Sequence, residues 1–440
     1  MAQESNSKFQ HSVKVPTQYR RCTALLKTAL ARNQKISLKS LIYEEKHANK
    51  RGMQAVLKQY VDNRGAIDNA IEETKIIEEN PRLCPVLCKI LVTELIFGRK
   101  QLIGESKPVT TVRDYHERLS SFFKDKNLGT ERKKDVKPRY VRVNTNLLAV
   151  NDAHEMLANE EWVKKEHPTF ESYNDYLKAI CDLEEAEYLT DMHISNLFVF
   201  CGKQKHYWAC HDFVRSKKFM LQDKATCLVA ELLNPPPGSV VLDMCAAPGM
   251  KTIHLCNMME NKGTIFAIEQ DTDRYRVLNN MTEAAGCQIV KTINADALKC
   301  DSTRCPDVEY ILVDPSCSGS GMQNRMSLEA DDKNPDRLKK LAGLQIKMLS
   351  HAMSFSKVKR IAYSTCSLYA EENEQVVQRC LQINPQFKLL SGKKALRNKW
   401  QNVGDVNYKN IGKNCLYALP EKDFTDGIFI AIFEKRKEED

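Results

Sequence analysis

The stretch "VVLDMCAAPGMKT", Val240–Thr252, decides the fold of this chain. It predicts a strand that ends on Asp243, a tight turn of small residues with a proline, and a helix that begins after Gly249. Small residues let the backbone approach a ligand closely, and a helix start presents free amide groups to a negative group. The pattern is not G-x-G-x-x-G, so a dinucleotide is not the default ligand.

Downstream, apolar runs alternate with helical stretches. The runs "TIFAIEQ", "IVKTINAD", "EYILVD" and "KRIAYST" are separated by segments such as "DRYRVLNNMTEAAG" and "DRLKKLAGLQIKMLSHAMSF", and "GIFIAIFEKR" follows near the end. Strands that are apolar on both faces and separated by helices indicate a parallel sheet covered on both sides. We expect residues 221–440 to form an α/β catalytic domain of Rossmann-like type, with a five-stranded parallel core and a late terminal strand.

The first half of the chain has a different organisation. Apolar residues at three- and four-residue intervals predict an N-terminal helical domain over residues 1–128. The charged segment that follows lacks hydrophobic periodicity and predicts a linker over residues 129–137. Residues 138–220 begin with a strand and a helix and predict a small accessory α/β domain. The basic residues at its start, with Tyr140 among them, make it a candidate RNA-binding domain.

Composition limits the class of protein. With 440 residues, 42% of them hydrophobic, the chain can bury two or three cores. It shows no secretory signal and no long apolar run, so we expect a nuclear or cytosolic protein with no membrane partner and with its 16 cysteines reduced. The formal net charge of +9 favours a polyanionic partner. The spacing of Cys201, His206, Cys210 and His211 matches no common zinc pattern, so no metal is predicted.

Two acids follow the second and third predicted strands. Glu269 stands 20 residues after Gly249, where a carboxylate that binds ribose belongs. Asp296 ends the third strand and is placed to accept a hydrogen bond from an adenine amino group. Together with the turn after Asp243, these acids predict a site for a nucleoside cofactor.

The fourth strand ends in "YILVDPSCSGSGM", Tyr310–Met322, which carries Asp314 and Cys317. Enzymes that methylate exocyclic amino groups of bases commonly have an aromatic ring at the position of Cys317. A cysteine there indicates a carbon target instead. The C5 atom of cytosine is not nucleophilic by itself, but a thiolate that adds to C6 turns the ring into an enamine that can take a methyl group. A second cysteine, Cys366, follows the fifth strand.

The motifs "DMCAAPGMKT", "DPSCSGSGM" and "YSTCSLYAEENEQVV" resemble the signature of the Nop/Sun-domain RNA cytosine-C5 methyltransferases, from about Pro138 to the end. The family forms are C-A-A-P-G-G-K and D-P-P-C, and this chain has Met250 and Ser316 instead. Ser316 and the helical region before "KPRYVRVNT" resemble the fifth Sun-domain group. The resemblance implies methylation of a cytosine in large-subunit ribosomal RNA during ribosome biogenesis, in the nucleus and nucleolus.

The resemblance also implies that S-adenosyl-L-methionine is the cofactor. It places the cofactor on the turn after the first strand, with Glu269 on the ribose, Asp296 near the adenine and Arg274 at a further position. The turn residues are Cys245, Ala246, Ala247, Pro248, Gly249, Met250 and Lys251.

The resemblance implies catalytic roles for three residues. The resemblance implies that Cys366 attacks C6, that Cys317 assists release of the product, and that Asp314 faces both the methyl donor and the base. DNA cytosine methyltransferases instead have their nucleophile on the fourth strand, which would make Cys317 the attacking group. The presence of both cysteines favours the RNA arrangement, and the Cys366 thiol must ionise to react.

Two basic segments with aromatic residues are candidates for RNA contact. One contains Lys137, Arg139, Tyr140 and Arg142, and the other contains Lys393, Lys394, Arg397, Lys399 and Trp400. Either segment could equally be a solvated face. Two other functions remain open, a tRNA cytosine-C5 methyltransferase and a catalytically silent rRNA-binding assembly factor. We expect a monomer whose partner is large-subunit rRNA or a pre-ribosome.

Overall fold

The structure is a computed structural model that describes residues 13–31, 38, 41–42, 45, 49–125, 137–166, 170–322 and 334–436. The chain divides into two compact units, one before and one after residues 126–136. Apart from Lys137, the predicted linker over residues 129–137 lies outside the described residues.

The first unit is helical, as predicted. The helices described in this unit are α1 (Thr17–Ala31), α2 (Lys50–Glu73), α3 (Ile76–Glu79), α4 (Pro85–Ile96), α5 (Lys107–Asp114) and α6 (His116–Asp125). Helix α4 begins with a proline, which has no amide hydrogen to lose at this position. It buries Leu87, Ile90 and Val92, which point in different directions around the helix, so α4 is the central helix of this unit's core.

The second unit begins with a five-stranded accessory sheet in the order β2-β3-β4-β1-β5. Its strands are β1 (Arg139–Val143), β2 (Val163–Lys164), β3 (Glu187–Thr190), β4 (Leu197–Phe200) and β5 (Phe219–Met220). The helices are α7 (Val150–Asn159), α8 (Tyr173–Cys181), α9 (Lys205–Cys210) and α10 (Asp212–Arg215). The central strands β1 and β4 pair antiparallel and are almost wholly buried, so they form the core of this part.

The second sheet of this unit has eight strands, with the path β11-β13-β10-β9-β6-β7-β8 and with β12 paired to β13. The strands are β6 (Val240–Asp243), β7 (Thr264–Glu269), β8 (Val290–Asn294), β9 (Tyr310–Val313), β10 (Arg360–Thr365), β11 (Phe387–Leu390), β12 (Leu416–Ala418) and β13 (Ile428–Lys435). Strands β8, β7, β6, β9 and β10 are parallel, and β13 joins β10 antiparallel. The predicted five-stranded parallel core and terminal strand are confirmed. The short antiparallel strands β11 and β12 were not predicted.

Helices pack against this sheet and connect its strands. They are α11 (Lys224–Leu233), α12 (Met250–Met258), α13 (Thr272–Ala284), α14 (Pro335–Met353), α15 (Glu374–Ile383), α16 (Gly392–Ala395), α17 (Lys409–Gly412) and α18 (Pro420–Asp423). Because β6 and β9 are neighbours while β7 and β8 lie on the other side of β6, the strand order reverses at β6. In open α/β sheets, ligands bind beside the carboxyl ends of the strands at this point.

Buried polar groups join the accessory sheet to the catalytic domain. The ammonium group of Lys224 lies 2.7 Å from the Asp191 carboxylate, and neither side chain is exposed. The Tyr176 hydroxyl donates to the same carboxylate, and its ring lies 4.1 Å from the ammonium nitrogen. Removal of one partner of such a pair leaves a buried charge that costs several kcal/mol, so the two parts are firmly coupled.

Three residues that were candidates for RNA contact are buried at this junction. Arg142 is fully buried, and its guanidinium donates to Gln222 Oε1 (2.8 Å) and to Asn257 Oδ1. Tyr140 is 3% exposed and Trp400 is 1% exposed, with the indole Nε1 donating to a backbone oxygen. The hypothesis that Tyr140, Arg142 and Trp400 contact RNA is therefore wrong, because none of them reaches the surface.

Within the described residues, no helix is both long and apolar enough to span a bilayer.

Candidate active site

A cavity of about 320 Å³ lies beyond the carboxyl ends of β6, β7, β8, β9 and β10. Its walls come from the turns after these strands and from α14. It is lined by Met244, Cys245, Ala247, Glu269, Gln270, Arg274, Ala295, Asp296, Ala297, Leu298, Asp314, Pro315, Ser316, Cys317, Leu344, Met348 and Cys366. Eight of the predicted site residues are among them. Seven follow or end strands of the parallel core, and the eighth, Arg274, lies on α13.

The turn after β6 forms one wall of the cavity. Gly249 has φ +106°, which favours glycine, and its amide donates to the Ala246 carbonyl at 2.7 Å. A Cβ atom on Gly249 would lie 3.2 Å from Leu278, so α13 packs tightly on this turn. Only Cys245 and Ala247 of the predicted turn residues line the cavity. The others frame the turn or begin α12: Ala246, Pro248, Gly249, Met250 and Lys251.

Glu269 and Arg274 form a connected pair at the cavity edge. Glu269 is 6% exposed, and its Oε1 accepts the Asp271 amide at 2.9 Å. Arg274 Nη2 lies 3.2 Å from Glu269 Oε2 and donates to the Ala247 carbonyl at 2.9 Å. Arg274 therefore ties the turn after β6 to the carboxylate after β7, although half of its side chain is exposed. Asp296 caps the next turn, with Oδ1 accepting the Leu298 amide at 3.0 Å.

Asp314 sits at the centre of the site and pairs with Lys251. The Lys251 ammonium is 2.6 Å from Asp314 Oδ2, and the Ser364 hydroxyl donates to Oδ1 at 2.8 Å. Burial alone would lower the pKa of Lys251, but Asp314 and Cys366 outweigh this effect and raise the pKa. Lys251 therefore stays charged beside the Asp314 carboxylate, within electrostatic range of Cys366.

Cys317 and Cys366 lie within hydrogen-bond reach of each other. The hydrogen bond from Cys317 lowers the pKa of Cys366, and the charge of Lys251 acts in the same direction against burial and Asp314. The same hydrogen bond raises the pKa of Cys317 well above its usual range, and burial adds to the rise. Of the two thiols, Cys366 is therefore the one favoured to ionise.

Two buried polar residues hold the loop that carries Cys317, and the sequence analysis missed both. Gln345 on α14 donates to the Ser316 carbonyl at 3.1 Å and to Glu372 Oε1 at 3.0 Å. Glu372, which is fully buried, also accepts the Ser318 amide at 2.9 Å. A signal was present in the sequence, because Gln345 stands in the apolar stripe of α14 between Leu338 and Leu349.

A close backbone contact fixes the loop from its other end. The Gly321 amide donates to the Cys366 carbonyl at 2.9 Å, and the Gly427 amide donates to the Gly321 carbonyl at 2.8 Å. A Cβ atom on Gly321 would overlap the carbonyl oxygen of Gly427, so both positions need glycine. The loop after β9, the end of β10 and the start of β13 are thus held together by backbone contacts.

The described residues contain no group of three or more His, Cys, Asp or Glu side chains arranged to hold a metal ion.

A reversed-order parallel sheet, with carboxylates after consecutive strands at one cavity, defines a Rossmann-like methyltransferase. Residues 230–434 match the family described as 16S rRNA methyltransferase RsmB/F. Residues 137–222 match the ferredoxin-like domain of NOL1/NOP2/Sun domain family member 5. Both matches fall within the second unit.

Whole-chain relatives agree with these matches. The chain is 59% identical to the 28S rRNA (cytosine-C(5))-methyltransferase of Drosophila melanogaster, over 98% of this chain and 99% of the relative. It is 33% identical to the mouse protein of the same name, over 91% and 87%. A methyltransferase homologue from Pyrococcus horikoshii has the same fold, with a TM-score of 0.53 and 23% identity over 82% of this chain and 99% of that one. The chain belongs to the NOL1/NOP2/Sun domain family of RNA cytosine-C5 methyltransferases, in the group of member 5.

Proposed function

We propose that this protein methylates C5 of a cytosine in large-subunit ribosomal RNA through a covalent bond between Cys366 and C6. The observation that carries the proposal is the thiol pair Cys317–Cys366 beside the Lys251–Asp314 ion pair, in a cavity at the carboxyl ends of the strands. An acidic thiol next to a neutral one is the arrangement that nucleophilic addition and later release require.

The cavity fits S-adenosyl-L-methionine, the cofactor of this family. Glu269 and Asp296 offer carboxylate oxygens on the cavity wall, which suit ribose hydroxyls and an adenine amino group. The Cys245–Ala247 backbone offers a wall of small residues with room for close approach. Glu269, Asp296, Arg274 and the turn after β6 would therefore hold the cofactor. When bound, it supplies the methyl group.

Three residues of the chain act on the target base, and each has a different role. The Cys366 thiolate adds to C6, and the electron pair of the C5–C6 double bond becomes available at C5 for the methyl group. Asp314, held by Lys251 and Ser364, orients the cytosine amino group. After methyl transfer, the C5 proton passes to water, the electron pair of its C–H bond re-forms the C5–C6 double bond, and the Cys366–C6 bond breaks to return the Cys366 thiolate. Cys317 assists this release. The base must leave any stack to reach Cys366, which favours single-stranded or opened RNA.

The names of the relatives support large-subunit rRNA as the substrate in this proposal. The fruit-fly and mouse relatives are named as 28S rRNA methyltransferases, which favours large-subunit rRNA over tRNA. Both cysteines and the acids of the cavity are in place, which favours an enzyme over a silent assembly factor. A role in ribosome biogenesis in the nucleolus follows from this substrate. The monomeric state expected from the sequence stays a prediction.

Bisulfite sequencing of total RNA tests the function directly. Cells without the protein should lose 5-methylcytosine at one position of large-subunit rRNA, and the intact protein should restore it while Cys366→Ala should not. Total tRNA from the same cells is the control and should be unchanged. Loss of a tRNA site with intact rRNA would assign the enzyme to tRNA, and no loss at any site would support the silent assembly factor.

Replacement of Glu269 by alanine should weaken cofactor binding by about 1–3 kcal/mol, because it removes a charged acceptor for the ribose hydroxyls. Isothermal titration with S-adenosylmethionine measures the change. Asp273→Ala is the matched control, since this acid lies nearby on α13 with its side chain 88% exposed. Equal affinities for both variants would remove Glu269 from the cofactor site.

A further inference from the structure

A second and larger cavity, of about 860 Å³, lies between the accessory sheet and the catalytic domain. Its walls come from the loop between β3 and β4, the end of α11, the start of β10 and the segment after α16. It is lined by Phe170, Thr190, Asp191, Met192, His193, Ile194, Ser195, Glu231, Leu232, Asn234, Arg360, Ala395, Leu396, Arg397 and Lys399. None of these residues lines the catalytic cavity.

The charges on its wall are not balanced. Arg397 is exposed and has no acidic partner among the described residues, and the Lys399 ammonium donates to the Phe170 carbonyl. Of the two acids in the wall, Asp191 pairs with Lys224, whereas Glu231 contacts His254, whose pKa burial lowers to about 4, so Glu231 keeps its negative charge. Arg397 and Lys399 together outweigh this single negative charge and can bind a negatively charged ligand.

The chemistry of the wall suits a phosphate backbone. The Arg397 guanidinium and the Lys399 ammonium line the cavity, and both groups are donors for phosphate oxygens. The sugar–phosphate backbone of RNA, with its ribose hydroxyls, is rich in such oxygen atoms.

Strand β10 links the two cavities. Arg360 begins β10 at the second cavity, and Thr365 ends it directly before Cys366. Six residues at about 3.3 Å each place the two sites roughly 20 Å apart. Because β10 is almost wholly buried, an RNA chain that contacts both sites must run over the surface of the domain and cover more than this distance.

We propose that the second cavity binds the sugar–phosphate backbone of the substrate RNA several nucleotides away from the target cytosine. The proposal rests on the proposed function, because it assigns a second contact to the same RNA. It also divides the basic segment after α16 into two parts. Arg397 and Lys399 face the cavity, Trp400 is buried behind it, and Lys394 is exposed outside it.

The test compares Arg397→Gln with Lys394→Gln, since both variants remove one positive charge from the same segment. Fluorescence anisotropy with an rRNA fragment that the enzyme methylates gives the dissociation constant at several salt concentrations. Arg397→Gln should weaken RNA binding about 5- to 10-fold and reduce the slope of log K against log salt by about 0.7, the value for one lost phosphate contact on a single strand. Lys394→Gln should change neither quantity.

Steady-state kinetics and the binding of inorganic phosphate complete the test. Arg397→Gln should raise KM for the RNA and leave kcat and the affinity for S-adenosylmethionine unchanged. Equal effects of the two variants would overturn the proposal in favour of a diffuse basic surface. A loss of inorganic phosphate binding by Arg397→Gln with unchanged RNA binding would overturn it in favour of a free anion. Absence of rRNA methylation by the unmodified protein would instead refute the proposed function.

Discussion

Cys366→Ala should abolish methylation, and Cys317→Ala should leave the protein covalently attached to its RNA. Without the Cys366 thiolate no bond to C6 can form, and a loss of at least about 10³-fold in rate is the scale expected for a missing nucleophile. Without Cys317 the bond forms and the methyl group is transferred, but release is slow. The hydrogen bond from Cys317 also lowers the pKa of Cys366, so adduct formation by Cys317→Ala should need a higher pH.

A denaturing gel with labelled rRNA measures both outcomes. A retarded protein–RNA band should appear for Cys317→Ala and be absent for Cys366→Ala and for the double variant. Cys210→Ala, on α9 and outside the cavity, serves as the control and should behave like the unmodified protein. The opposite band pattern would assign the attack to Cys317, as in the DNA enzymes. Full activity without an adduct in either variant would exclude a thiolate mechanism.

Lys251→Met should lower methylation about 10²-fold or more at neutral pH and move the pH dependence of the rate upward. Lys251 helps to lower the pKa of Cys366, so the loss of Lys251 raises the pKa of this thiol. A smaller fraction of Cys366 is then ionised at neutral pH. The rate should then rise with pH over a range closer to the ordinary thiol value of about 8.5. Asp314 also loses its ion pair, which adds to the loss of activity at every pH.

The pH profile of kcat/KM distinguishes these effects, and alkylation of Cys366 by iodoacetamide, followed by mass spectrometry, reports the same pKa without catalysis. Lys251→Arg keeps the charge and should keep the position of the pH profile. An unchanged alkylation profile in Lys251→Met would show that Lys251 does not control the Cys366 thiol.

The sequence predicted the parallel sheet because the signals for it are local. Each strand is a short apolar run, and each acid or cysteine of the cavity follows such a run, so topology alone brings Glu269, Asp314 and Cys366 to one edge. Short strands such as β12, with three residues, do not carry enough pattern to be recognised.

The parts that were not predicted depend on distant partners. The sequence did not show which charged group lowers the pKa of Cys366, because Lys251 reaches the site only after the sheet brings two remote segments together. Arg142 has the sequence pattern of a surface cation, yet Gln222 and Asn257, 80 and 115 positions away, bury it. Burial of a charge depends on partners that no local window contains.

The contact between Gly321 and Gly427 bears on how genetic variation in this chain will be interpreted. Position 427 carries no reactive group and stands far along the chain from Cys317, yet any side chain there displaces the loop that holds this thiol. A screen for lost methylation should therefore recover Gly427 variants together with those of the two cysteines. A ranking of positions by side-chain chemistry would miss them, because selection at this site acts on the absence of a side chain.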